Sequence, residues 1–182
     1  MKPRSLNEAF MPVLSYALKV ESALCLGESL DAQRVSEDIV EMIHIASENI
    51  AKMESERFWD SVFAVCAFID ELFLDSKNGE FSLSWQKYML QKGFFRTTNA
   101  GVLFFKKLEE NRDDVALKEL YEYVLALGFK GRYFSQEDMD RLEELKVENT
   151  KETSLTYVHP LFDDAYAKSS PKLVGEKGSF LA

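Results

Sequence analysis

Two adjacent carboxylates, Asp70 and Glu71, lie in the apolar stretch RFWDSVFAVCAFIDELFLD and are the side chains best suited to paired acid and base work. Neighbouring positions on a helix diverge by about 100°, so this pair cannot flank one bond without a break in the helix. Projected with Phe58 at zero, Leu72, Val65, Ile69, Val62, Phe73, Cys66, Trp59, Phe63 and Leu74 fill an arc of about 200°. Asp70 falls inside that arc, between Trp59 and Phe63, whereas Glu71 shares the remaining face with Asp60, Ala64 and Ala67. An ionised carboxylate in apolar surroundings costs several kcal/mol unless it is paired. Asp70 therefore needs donors, with helix N-terminal amides, Trp85 or an arginine as the candidates, and Glu71 is expected to line a surface groove.

Other reactive side chains assemble into less. Glu41 and His44 form a Glu-x-x-His pair of the kind that holds di-iron centres in helical bundles. The only other histidine, His159, is not in a second copy of that motif, and His44 projects away from the apolar stripe of its helix. No Ser-His-Asp or Cys-His context is present, and Lys130-Gly131-Arg132 offers one glycine where a phosphate loop needs several. Cys25 and Cys66 both sit in apolar runs without ligand spacing and are expected as buried free thiols. Neither a metal site nor a cofactor site is predicted. The pairs Phe94-Phe95 and Phe104-Phe105 are expected in the core.

These residues must be positioned by helices. The first is expected to run to Gly27 with its regular part beginning near Met11, because Pro12 interrupts the stripe. A second, from about Asp31 to Met53, carries Val35, Ile39, Met42, Ile43 and Ala46 on one face. After a polar break at Glu54 to Glu56 comes the helix bearing Asp70 and Glu71, ending near Asp75. Ser82 or Ser84 is expected to cap a short helix that Gly93 stops, and Thr98 to cap the next. Asp113 and Asp114 open another that ends at Gly128, and Ser135 with Asp138 resembles a capping box before a last helix. From about Glu148 the chain is expected to be irregular, apart from a short helix around Phe162 to Ala167.

Composition agrees with helices: 14 Phe, 7 Tyr and 2 Trp stand beside only 8 Gly and 4 Pro in 182 residues. A chain of this length buries about 70% of its unfolded surface as one domain. The net charge of -9 argues against nucleic acid as a partner. Residues 31–80 sum to -8 and 109–152 to -6, whereas 81–108 hold five basic side chains and no acid. That block either neutralises the flanking helices or docks an acidic partner. No signal peptide is apparent and no apolar run approaches the roughly 18 residues of a membrane span.

Four separated signatures carry a family resemblance: Ala64-Val-Cys-Ala67-Phe-Ile-Asp70-Glu71, then Trp85, then Gly101-Val-Leu-Phe104-Phe105-Lys-Lys-Leu108-Glu109, then Leu125-Ala-Leu127-Gly128-Phe129-Lys-Gly131-Arg132-Tyr133. In order and spacing, over roughly residues 10–135, the chain resembles the DotU/IcmH/TssL family. Pro12-Val13-Leu14 resembles the family's opening. Ser76-Lys-Asn78-Gly79 stands where the family has Trp-Gly, and Val102 follows Gly101 where it has Gly-Glu.

The resemblance implies the cytoplasmic domain of an inner-membrane component of a type VI secretion apparatus, or of the related type IVb one. It implies pairing with an IcmF/TssM-type membrane protein, docking to the cytoplasmic baseplate, and a C-terminal membrane anchor through which two copies would pair. No such anchor is seen here, and Gly175 to Ala182 is expected as its juxtamembrane remnant. The family's acidic pair maps onto Asp70 and Glu71, and its order places LGFKGRY beside Asp70, so Arg132 is expected as the partner of that buried acid.

The expectation is an all-α fold of seven to eight helices, packed as one domain of two helical sub-bundles. Residues 1–150 form the helical domain and 151–182 a mostly irregular segment leading towards the anchor. Its function is expected to be a non-enzymatic scaffold, with Asp70, Glu71, Arg132 and Tyr133 as the partner-binding or structural cleft. The alternatives are a carboxylate-based hydrolase acting through Asp70 or Glu71, and a helical bundle that binds a small molecule in a deep apolar pocket.

Overall fold

The computed structural model describes residues 5–50, 55–133 and 136–152. Expectations for Ser135, His159, the helix at 162–167 and the segment 175–182 fall outside these residues. Six helices of 11 or more residues and two shorter ones follow one another: α1 (Leu6–Cys25), α2 (Ala32–Asn49), α3 (Ser55–Leu74), α4 (Gly79–Trp85), α5 (Leu90–Phe95), α6 (Ala100–Glu110), α7 (Val115–Ala126) and α8 (Gln136–Glu152). The described residues are all-α.

Local chemistry sets most of the boundaries. Ser5 accepts from the Glu8 N–H and starts α1 one turn earlier than Pro12 alone would indicate. Leu6, Ala9 and Phe10 are buried on that turn, and their packing holds it although Pro12 removes one backbone donor. At the other end Gly27 takes φ +85, and the bonds from Gly27 N to Leu24 O and Glu28 N to Ala23 O close the helix. Gly128, at φ +110, ends α7 in the same way. Asp31 caps α2 and Asp114 caps α7, each with a side-chain oxygen on a backbone N–H of the first turn.

The short central helices differ from expectation. Asn78 rather than a serine caps α4, through the Phe81 N–H, and Ser82 instead donates its hydroxyl to Leu74 O. A turn through Lys87 and Tyr88 separates α4 from α5, so Gly93 lies inside α5 and does not stop it. The cap residue of α6 is Asn99, not Thr98. The last helix reaches Glu152, past the expected break at 148.

α3 is the hub, packed against α1, α4, α5, α6 and α7. The two expected sub-bundles share one continuous core around it. Every residue from Asp60 to Asp70 is buried, so the face that the projection left to solvent is covered as well. Asp60 is buried there, bonded by Lys107 and Asn111 of the α6 end, while its carbonyl accepts from the Tyr121 hydroxyl of α7. Trp59, expected in the core, is 46% exposed, its ring lying at the surface beside Phe58, Phe94 and Phe95. The two cysteines also part company. Cys66 is buried, and Cys25 is exposed, with its thiol donating to Glu21.

Candidate functional site

The acidic pair forms two separate junctions. Asp70 is fully buried, and its Oδ1 accepts from Trp85 Nε1 at 3.0 Å and from the Leu90 N–H at 2.9 Å. Its Oδ2 accepts from the Gln91 N–H at 2.8 Å. Leu90 and Gln91 are the first residues of α5, and Met89 before them makes no side-chain cap. Asp70 therefore serves as that helix's cap from another part of the chain. Burial pushes its carboxyl up to about 6 from an ordinary 3.8, against the pull of the bonds from Gln91, Leu90 and Trp85. The buried side chain of Gln91 then passes the arrangement on, its Oε1 accepting from the N–H of Ala100, the first residue of α6.

Glu71 turns to the other side. Its Oε1 accepts from the Lys130 N–H and its Oε2 from the Gly131 N–H, both at 2.7 Å. Burial raises its carboxyl above the ordinary value, and the two backbone bonds draw it back. The turn it holds is tight. Gly131 takes φ +60, and a Cβ there would lie 2.7 Å from the Gly101 carbonyl oxygen and 2.8 Å from the Phe105 ring. A Cβ on Gly101 would in turn meet the Gly131 backbone at 3.0 Å. Two glycines thus let α6 and the turn after α7 meet backbone to backbone. The expected surface groove at Glu71 is, in the structure, a carboxylate seated on this turn.

The expected Asp70–Arg132 pair does not form. Trp85 and the two N–H groups of α5 occupy the Asp70 oxygens, and Arg132 lies on the surface beyond the Glu71 turn. Its guanidinium sits 5.0 Å from the Tyr133 ring centre and 5.4 Å from that of Phe105, and donates to the Tyr133 hydroxyl at 2.8 Å. No carboxylate among the described residues pairs with it. Tyr133 is buried, edge-on to Phe105 at 4.8 Å. Of the four candidate residues, Glu71, Arg132 and Tyr133 therefore meet at one turn, and Asp70 belongs to a different junction.

Sequence reasoning overlooked Gln91, which stands polar between Leu90 and the aromatic pair, and named Gly101 and Gly131 without bringing them face to face. The signal for the glycines was present, since each stands where a helix start or a turn meets bulky aromatics. His44 is exposed, and among the described residues no group of three or more His, Cys, Asp or Glu side chains gathers as a metal site would require. Among the same residues no helix is long and apolar enough to cross a membrane.

Together these features define an all-helical domain in which adjacent acids fix two turns and present one of them, with its arginine, at the surface. The chain belongs to the DotU family: the family model described as type VI secretion system protein DotU matches residues 5–173. Two solved structures share the fold. The cytoplasmic domain of TssL from Acinetobacter baumannii is 24% identical, covering 83% of this chain and 98% of its own, with a TM-score of 0.71. SciP/TssL from enteroaggregative Escherichia coli 042 is 27% identical over 82% of this chain and 88% of its own, with a TM-score of 0.64. No curated protein matches the chain.

Proposed function

We propose that this DotU-family chain is a non-enzymatic docking component of a type VI secretion membrane complex. In this reading it works at the cytoplasmic face of the inner membrane, binds an IcmF/TssM-type membrane protein and the cytoplasmic baseplate, and uses residues 151–182 to lead from the helical domain 1–150 towards the membrane.

One observation carries the proposal beyond the family. Arg132 is exposed, fixed against Phe105 and Tyr133, and pairs with no carboxylate among the described residues, while Glu71 beneath it spends both oxygens on the backbone of the turn. A cation already held in one geometry loses little freedom when a partner carboxylate arrives, and its planar fork suits such an acceptor.

Co-expression with an IcmF-type protein tests this directly. The two should purify together, and Arg132→Glu should release the partner while leaving the thermal transition in place. Failure to co-purify under secretion-competent conditions removes the assignment.

The hydrolase reading draws on one observation, the raised carboxyl of Asp70. Its oxygens, however, face Trp85 and the backbone of α5. Asp70→Asn separates the readings: a catalytic acid would lose turnover at unchanged stability, whereas a structural cap loses stability.

A further inference from the structure

The five basic side chains of residues 81–108 do not share one fate. Lys106 pairs with Glu110, and Lys107 pairs with Asp60 while standing 5.3 Å above the Phe63 ring. Lys87, Lys92 and Arg96 are all exposed and meet no carboxylate among the described residues; Lys92 reaches only the carbonyl of Gln86. In a chain of net charge -9, α5 and the turn before it thus keep an uncompensated positive patch.

The same helix lines an aromatic cleft. Phe94 and Phe95, both half-buried, stand 6.3 and 6.1 Å from the Trp59 ring, and Phe95 is edge-on to Trp59. With Asp60 and Lys107 they bound a surface cleft of about 380 Å³. Trp59 is 46% exposed, and its indole N–H has no acceptor among the described residues. The cleft floor is electrically closed, because Lys107 and Asp60 satisfy each other. What remains open is apolar ring surface, one indole donor, and the positive charge of Arg96 directly after Phe95, whereas Lys92 turns to the Gln86 carbonyl.

Arg96 has a further peculiarity. Directly after Phe95 it takes φ +51 and ψ 34, a left-handed conformation in which glycine is at ease and a longer side chain is not. Removing its side chain therefore relieves the backbone, which separates a loss of binding from a loss of fold.

We propose that the Trp59–Phe94–Phe95 cleft docks an acidic segment of a partner protein, one that places a bulky apolar side chain against Trp59 and carboxylates against Arg96 and the Trp59 indole N–H. The charge pattern selects this occupant. A second copy meeting this face symmetrically would set the same basic side chain against its own counterpart, and a purely apolar segment would leave that charge without a counter-charge. This surface lies apart from the Arg132 turn, and the inference stands whether or not that turn binds a partner.

The test uses the full chain and two short synthetic peptides, one with Leu-Phe flanked by glutamates and one with lysines in place of the glutamates. Binding is read from the indole N–H resonances, with buried Trp85 as internal reference. The glutamate peptide should shift Trp59 and not Trp85, and its affinity should fall steeply with added salt. Arg96→Gly should weaken it about threefold to tenfold while raising the midpoint of thermal unfolding. Trp59→Ala should remove binding, read in that variant from the backbone amide resonances of Phe94 and Phe95. Equal binding of the two peptides, or an unchanged affinity in Arg96→Gly, overturns the proposal, as does binding of neither peptide. A concentration-dependent dimer that Trp59→Ala abolishes also overturns it, by assigning the cleft to a second copy.

Discussion

Asp70 and Glu71 are neighbours in sequence and perform the same elementary act, accepting backbone N–H groups from a distant turn, yet the two junctions differ in kind. The Asp70 junction is wholly interior: three donors converge on one carboxylate that water does not reach. The Glu71 junction is half-open, with two donors, and it carries the exposed Arg132 on its outer side. Burial makes the first a fixed point of the fold. The second is a mount that orients a surface group.

The largest expected effect comes from emptying the interior junction. Asp70→Ala leaves the indole N–H and two backbone N–H groups without acceptors and should cost about 3–5 kcal/mol in urea unfolding. A loss near that of Glu71→Ala would erase the distinction between the junctions.

Proton linkage follows. The folded Asp70 carboxyl titrates near 6 against an ordinary 3.8, so between these values the folded state holds the extra proton. Its contribution to stability is complete below the lower value and is lost as pH rises through the higher one. Relative to Asp70→Asn, the wild type should gain on the order of 3 kcal/mol between pH 7 and pH 3.5. Comparing the two proteins across that range cancels the other carboxylates, and a flat difference would contradict the interior assignment.

Gly131→Ala probes the outer junction through its backbone. The left-handed conformation and the contact with Gly101 should together cost about 2–3 kcal/mol, measured by chemical denaturation. Glu71→Gln keeps one acceptor oxygen and should cost about 1 kcal/mol. At the small end, Arg132→Ala should change stability by less than about 0.5 kcal/mol while weakening partner association. An Arg132 variant that unfolds would make that arginine part of the fold.

The sequence showed the helices well where one face is apolar and the other polar, as along α2 and α7. It misled at the amino-terminal half of α3. Periodicity measures how apolar the faces are, not how many neighbours arrive, and a helix surrounded on all sides buries Asp60 and Ala64 as readily as Phe63. The need of Asp70 for donors was readable from its apolar neighbours, as were Trp85 and helix N-terminal amides as donors. That the amides are those of α5, and not joined by Arg132, depends on where a six-residue helix settles, some 20 residues further on, and no local pattern records it. The resemblance placed the right residues in the right order, but adjacency in such an order does not distinguish one side of α3 from the other.

The link from Asp70 through Gln91 to Ala100 has a direction. Asp70 holds the first turn of α5, and Gln91 of that turn accepts from the first N–H of α6. The start of α6 can therefore open while α5 stays closed, but α5 cannot leave Asp70 without carrying away the cap of α6. Release of α5 from Asp70 also costs α6 its Gln91 acceptor, which couples local opening of the two helices through one buried carboxylate.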